Sequence, residues 1–355
     1  MELEVPTTFA ERDWAREVTD DPIRFAIVGL GWFGPDVAMP AIEESDYCET
    51  TVCVSGDKEK AERVAEEDGA EHGLTYDEYA DGEAVDAYDA VYIVTPNALH
   101  LPHVETAAEY GKDVLCEKPL EATAERAEQL VETCEEAGVE LMTAYRMQTT
   151  RSVRWIRELV QSGVIGEPQQ VKGEFSFNML GGGGDPDQWR LDPDLAGGGS
   201  LMDVGVYPLN ATRFVLDEDP DAVHASITED PPHFDGVDKH ASFTMEFPGG
   251  VQAQCSSSYG VYGKNCFEVI GDEGRIYAEP IFNVDDDRRI TIERDHGETV
   301  VDANEPPEMV EEFDYFATGL LTDMEIGPDG EHGLFDVRLT EAVQESAERG
   351  ERVDL

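Results

Sequence analysis

Positive charge is what this chain of 355 residues lacks most. Only 25 Lys and Arg stand against 79 Asp and Glu, a formal net charge of −54, and just 7 of those cations are lysine. Such a field repels phosphate backbones and anionic lipid, which argues against nucleic acid and membrane surfaces as partners. Long apolar runs are missing too. No stretch approaches the roughly 18 residues a spanning helix needs, and the opening MELEVPTTFAERDWAREVTDD has neither the cationic start nor the apolar core of a signal peptide. The 6 cysteines form no CxxC pair and no zinc-like spacing with histidine, so buried free thiols in a reducing compartment are expected, and no metal. These absences predict a soluble, cytoplasmic protein.

What is present begins with acid. Runs such as Glu66-Glu67-Asp68, Asp217-Glu218-Asp219 and Asp285-Asp286-Asp287 are spread along the whole chain. At low salt their repulsion strains a compact state; at molar salt the Debye length falls to roughly 3 Å and the strain largely vanishes. The composition therefore predicts a protein made for a high-salt cytoplasm. The 40% apolar content is ample for true cores, and the length suits two domains.

Hydrophobic patterning divides the chain in three. Residues 1–21 read as a polar arm. From 22 to 148, short β-branched apolar runs at 23–28, 50–55, 90–94, 113–116 and 140–145 alternate with helical stretches at 35–44, 57–68, 99–110 and 123–138. That alternation predicts an α/β domain with a doubly wound parallel sheet. From 149 to 355 the texture changes to one helix at 150–162, then extended segments at 168–178, 222–229, 239–247, 250–259, 265–270, 274–279 and 289–294, and a last helix at 334–349. Gly, Pro and Asp turns separate the segments, which predicts an α+β domain with a large mixed, mostly antiparallel open sheet.

Three constellations carry chemistry. Gly29-Leu30-Gly31-Trp32-Phe33-Gly34 follows a strand and opens a helix, the context a pyrophosphate-cradling turn requires; without a ligand it is only a glycine turn. At the end of the second strand Ser55-Gly56 stands where an NAD enzyme usually keeps an acid, and Lys58 and Lys60 follow. A hydroxyl with cations suits a 2′-phosphate, hence NADP over NAD, unless Asp57 is the ribose acid or the lysines merely face solvent. Glu117-Lys118-Pro119 lies at a strand's C-terminal end, where parallel sheets bind ligands, and Pro119 restricts the backbone of Lys118. Finally, in the run Gly197 to Asn210, Asp203 and Tyr207 are four apart and share a helix face, with Asn210 near the same stripe. Ser200-x-x-Asp203 equally fits a capping box, while Pro208 predicts a kink just past Tyr207.

Taken together, these motifs resemble the family of glucose–fructose oxidoreductase and inositol dehydrogenase. The resemblance runs from about residue 22 to the C-terminus, adding Thr95-Pro96-Asn97 with His100 and a terminal Asp336-Val337-Arg338-x-x-Glu341-Ala342. It implies a Rossmann fold for the first domain, with Lys118, Asp203 and Tyr207 flanking nicotinamide and sugar. Trp32, Phe33, Thr95, Pro96, Asn97, His100, Glu117, Arg146, Trp189 and Arg190 would line cofactor and substrate. Many members carry His where Tyr207 stands; tyrosine resembles the glucose–fructose oxidoreductase branch.

The implied reaction is NADP-dependent oxidation of an aldose at C1, D-xylose first, to its lactone. Tyr207 would be the base and Asp203 would hold a sugar hydroxyl or orient Tyr207. A free phenol keeps its proton until about pH 10, and the Lys118 ammonium would favour the phenolate. Three other outcomes share the motifs: hydride shuttled between two sugars on retained NADP, a dehydrogenase for another polyol such as inositol, and an NADP-binding sensor without catalysis. By analogy the assembly is a homodimer or homotetramer.

Overall fold

The computed structural model describes residues 21–284, 287–303, 306–322 and 324–355, so the arm expected at 1–21 lies, apart from Asp21, outside the described residues. Among them the chain divides into two compact units, residues 21–146 with 306–337, and residues 147–303 with 338–355.

The first unit is built on a parallel sheet of six strands: β1 (Ile23–Val28), β2 (Cys48–Ser55), β3 (His72–Thr75), β4 (Ala90–Ile93), β5 (Asp113–Glu117) and β6 (Leu141–Ala144), in the order β3-β2-β1-β4-β5-β6. Every pairing is parallel, the doubly wound order expected. Continuous apolar runs fit a sheet covered on both faces: Phe25 and Ile27 enter one core, Ala26 and Val28 the other. Capping sets the helix limits. Asp57 accepts from the Lys60 amide to start Lys58–Asp68, Thr123 accepts from the Arg126 amide to start Ala124–Ala137, and Gly69 and Gly138 close them with positive φ. β3 escaped the sequence reading because His72-Gly73-Leu74-Thr75 carries a single buried apolar side chain.

The expected second domain, 149–355, gives up residues 306–337 to this unit. The cause is a helix the sequence reading missed, Glu308–Leu321. It sets Phe313 edge-on against Phe25 and Tyr92, at 5.5 and 5.1 Å between ring centroids, and Phe316 against Phe25.

The second unit holds nine strands: β7 (Pro168–Asn178), β8 (Ala222–Thr228), β9 (His240–Glu246), β10 (Gln252–Ser258), β11 (Gly260–Gly271), β12 (Gly274–Ala278), β13 (Arg289–Arg294), β14 (Gly297–Asp302) and β15 (Val353–Asp354). Their order is β14-β13-β12-β11-β7-β10-β9-β8-β15. Only β7 and β10 pair in parallel, so the sheet is mixed and mostly antiparallel, as expected. β14 and β15 are additions to the expected set. Gly173 on β7 lets the helix Val206–Leu216 pack close: a Cβ there would lie 2.5 Å from the Pro208 Cβ. This contact holds the segment carrying Asp203 and Tyr207 against the sheet. The six cysteines are free thiols, five buried and Cys266 half-buried. Among the described residues no helix is long and apolar enough to cross a membrane.

Candidate active site

The glycine turn after β1 has three different constraints. Gly29 sits at φ +111°, and a Cβ there would strike the Val94 carbonyl oxygen at 2.8 Å. A Cβ at Gly34 would meet the Gly29 oxygen, also at 2.8 Å, so this glycine serves the close packing of turn and helix. Gly31 has nothing within 4 Å, which leaves its backbone open to approach. Leu30 is buried behind the turn, while Trp32 stands 60% exposed with Phe33 against its edge. The helix opens at Gly34 with Pro35 in its first turn and no side-chain cap. An open glycine backbone at a helix start fits the pyrophosphate of a dinucleotide.

At the end of β2 the expectations divide. Ser55 closes the strand as expected and its hydroxyl accepts from the Asp57 amide, with Gly56 exposed beside it. Asp57 caps the next helix, so it is not placed as a ribose acid. Lys58 is corrected: its ammonium donates to the Gly73 carbonyl at 2.9 Å and to Glu78 at 2.6 Å, and that bond holds the Glu78 carboxyl below its usual range. The unforeseen β3 supplies that carbonyl acceptor. Lys60 makes no ion pair among the described residues and leaves Ser55, Gly56 and Lys60 as the phosphate-binding candidates.

The ends of β4 and β5 carry the next group. Thr95 and Asn97 are buried around Pro96, and the Thr95 hydroxyl has no partner among the described residues. His100 has partners on two loops. It is fully buried, with its ring nitrogens 3.0 Å from the carbonyls of Leu120 and Thr95, so it ties two strand-end loops together. Glu117 accepts from the Tyr92 hydroxyl at 2.6 Å and from the Lys118 amide at 3.1 Å. Lys118 is half-buried just past β5. Arg146 is buried and ion-paired to Glu308, a partner the missed helix provides.

In the second unit the capping-box alternative fails. Asp238 accepts from the amides of Gly199 and Leu201 and from the Ser200 hydroxyl at 2.7–2.8 Å, and Ser200 makes no cap bond itself. Asp203 is thereby released from backbone duty. It accepts from the Tyr259 hydroxyl at 2.8 Å and pairs with the Arg190 guanidinium at 3.3 Å. Arg190 lies over the Trp189 ring at 4.4 Å. Burial alone would lower its pKa, but Asp203, Tyr259 and Tyr207 together raise it. These are substrate-side neighbours, so Arg190 moves from the expected cofactor lining to the set around Asp203 and Tyr207.

Tyr207 is half-buried with Phe175 edge-on at 5.3 Å and Phe282 at 6.0 Å. The expected kink lies earlier than predicted. A wide π-type turn, Leu201–Gly205, precedes the regular helix, and Pro208 falls in its first turn, where a missing amide costs nothing. Asn210 is buried one turn deeper, its oxygen accepting from Gln148 at 3.1 Å. Tyr259 is the residue sequence reasoning missed. Burial, then Asp203, push its phenol well above the ordinary range, so it remains a donor. A tyrosine at a strand end, 56 residues from its partner, gives no local signal. The set offers a fixed carboxylate, a guanidinium and a second phenol, groups that bind hydroxyls and move one proton. Among the described residues no His/Cys/Asp/Glu group could hold a metal.

Two family models match the chain. The description "Oxidoreductase family, NAD-binding Rossmann fold" covers residues 23–145, and "GFO/IDH/MocA C-terminal domain" covers 153–277. The chain belongs to the GFO/IDH/MocA oxidoreductase family. Within it, the D-xylose 1-dehydrogenase [NADP(+)] of Haloarcula marismortui is 49% identical over 98% of this chain and 97% of that protein. The D-xylose 1-dehydrogenase (NADP(+)) 2 of Haloferax volcanii is 36% identical over 93% and 99%. Among solved structures, the aldose-aldose oxidoreductase of Caulobacter crescentus complexed with glycerol superposes with a TM-score of 0.89 at 33% identity, covering 94% of this chain and 100% of that one. As a member of the GFO/IDH/MocA family, the protein is an oxidoreductase with a dinucleotide-binding Rossmann domain.

Proposed function

We propose that this enzyme oxidises an aldose, D-xylose first, at C1 to the lactone, with NADP as hydride acceptor. The observation that carries the reading is Asp203, relieved of capping by Asp238 and held by Tyr259 and Arg190 within one helical turn of Tyr207. The two similar dehydrogenases, named for D-xylose and NADP(+), support the substrate and the cofactor. The sugar gives a hydride from C1 and a proton from its C1 hydroxyl, leaving a C=O bond. Bound NADP supplies the hydride acceptor.

Tyr207 would take the proton as general base, beside Arg190 and one helical turn from Asp203. Asp203 accepts from a neighbouring sugar hydroxyl, which fixes the ring. Gly29 to Gly34 receive the pyrophosphate, and Ser55, Gly56 and Lys60 receive the 2′-phosphate. Trp32, Phe33, Thr95, Pro96, Asn97 and Glu117 line the nucleotide, and Trp189 braces Arg190.

A second reading, hydride passed between two aldoses on NADP that stays bound, is favoured by the likeness to aldose-aldose oxidoreductase; cofactor persisting through gel filtration supports it. The net charge of −54 supports a high-salt cytoplasm. The open face of the nine-stranded sheet has a hollow of about 600 Å³ lined by Ser226, Ser242, Thr244, Gln254 and Ser256. Two glutamates there, Glu174 and Glu268, are matched by Lys172 and Lys264, a balance that the acidic chain as a whole lacks and that supports pairing of two copies on that face. The deciding experiment is a steady-state screen of pentoses and hexoses with NADP⁺ and NAD⁺ at molar salt. Turnover of D-xylose with NADP⁺ is expected, and tight nucleotide binding without sugar-dependent reduction overturns the proposal.

A further inference from the structure

Two buried carboxyl groups in the first unit, Glu308 and Glu312, lie with the half-buried Glu117 about a single arginine, Arg146. Glu308 is ion-paired with Arg146. Glu117 accepts from the Tyr92 hydroxyl and the Lys118 amide. Glu312, fully buried on the same helix as Glu308, has no hydrogen-bond partner at either carboxyl oxygen among the described residues. The charged groups bearing on it are Glu117 from β5, Arg146 from the turn after β6, and Glu308 from its own helix. One guanidinium does not sustain a second buried anion beside Glu308, because an unpaired buried charge is costly and the group keeps its proton instead. Glu308 has the guanidinium and Glu117 has two donors, whereas Glu312 has neither among the described residues. Burial and then the like charge of Glu117 hold its pKa well above the carboxylate range, in the same direction.

We propose that Glu312 is a positioning residue that releases its proton when oxidised, positively charged nicotinamide binds over the end of β5, and retains it when the ring is reduced and neutral. This rests on the reading above that NADP lies beside Lys118. A positive ring near Glu117 offsets the repulsion between two carboxylates, so ionising Glu312 costs less in that complex. The proton goes from the carboxyl to solvent and no bond to the cofactor forms. The consequence is an enzyme that holds NADP⁺ more tightly as pH rises, with Glu117, and the Lys118 amide bound to it, kept in one place throughout.

Titration calorimetry of NADP⁺ and of NADPH into the full chain at molar salt, in buffers of different ionisation enthalpy, counts the protons. The 2′-phosphate titrates in both cofactors and cancels in the difference. Wild type is expected to release more protons with NADP⁺ than with NADPH, and its NADP⁺ affinity should rise by up to about tenfold per pH unit. Glu312→Gln, the neutral isostere of the protonated acid, should bind both forms and lose the difference. Equal release with the two cofactors in wild type overturns the proposal without any variant, as does an undiminished difference in a folded Glu312→Gln. Failure of NADP⁺ to bind at all would instead sink the functional reading beneath it.

Discussion

Asp203 in the second unit and Glu312 in the first are acids in opposite circumstances. Asp203 has a phenol and a guanidinium on its carboxylate; Glu312 is fully buried with no donor among the described residues. Donors, rather than depth, decide whether a carboxyl works as an anion or as a store for a proton. The contrast separates two kinds of job: an acid that grips a polar ligand must be pinned and charged, and one that answers to charge must be left unpinned.

The pinned site can be broken in two steps. Tyr207→Phe should lower kcat by about 10²–10⁴-fold, the usual worth of a positioned base, with KM little changed; steady-state kinetics at molar salt measure both. Tyr259→Phe should lower kcat/KM by about 10–100-fold, since a hydrogen bond to a charged group is worth about 1.5–3 kcal/mol. In an Asp203→Asn background the same Tyr259→Phe change should cost little more, because its partner has already lost its charge. Additive losses in that double variant would show that Tyr259 acts through something other than Asp203.

The two units were also unequally legible. Gly29 to Gly34 and Glu117-Lys118-Pro119 are contiguous, and a strand before or a helix after each tells what the motif is for. Their geometry follows from the local chain, as the φ of Gly29 and the open backbone at Gly31 show. Around Asp203 the chemistry is assembled from residues 190, 203, 207 and 259, and the cap that frees Asp203 comes from Asp238. No spacing rule joins those positions. The partners of Lys58, Arg146 and His100 were hidden for a related reason: Glu78, Glu308 and two carbonyls reach them from elsewhere in the chain. Helix Glu308–Leu321 hid because its polar residues are themselves buried, Glu308, Glu311, Glu312 and Asp314 among them, which blurs any apolar stripe.

Glu312 also has a signature in stability. Its folded pKa is raised, so folding takes up a proton once the unfolded carboxyl is ionised. The stability tied to it is therefore complete in acid and lost as pH climbs from the ordinary carboxylate range towards the raised value. Glu312→Gln has no such dependence. Melting curves at molar salt should show the variant gaining on wild type steadily above about pH 5. Parallel curves would mean that Glu312 is ionised in the fold.

The smallest expected effect repeats the contrast on two lysines two residues apart. Lys58 is tied to Glu78 and the Gly73 carbonyl, whereas Lys60 has no ion pair among the described residues. Lys58→Met removes a partly exposed pair worth about 0–1 kcal/mol and should leave NADP⁺ affinity within about threefold. Lys60→Met removes the cation proposed for the 2′-phosphate and should weaken NADP⁺ by about tenfold while leaving NAD⁺ unchanged. Binding titrations with both nucleotides read the difference. If Lys58→Met proves the costlier change for NADP⁺, its ammonium leaves Glu78 on binding, and the partner seen in the structure is one it exchanges for phosphate.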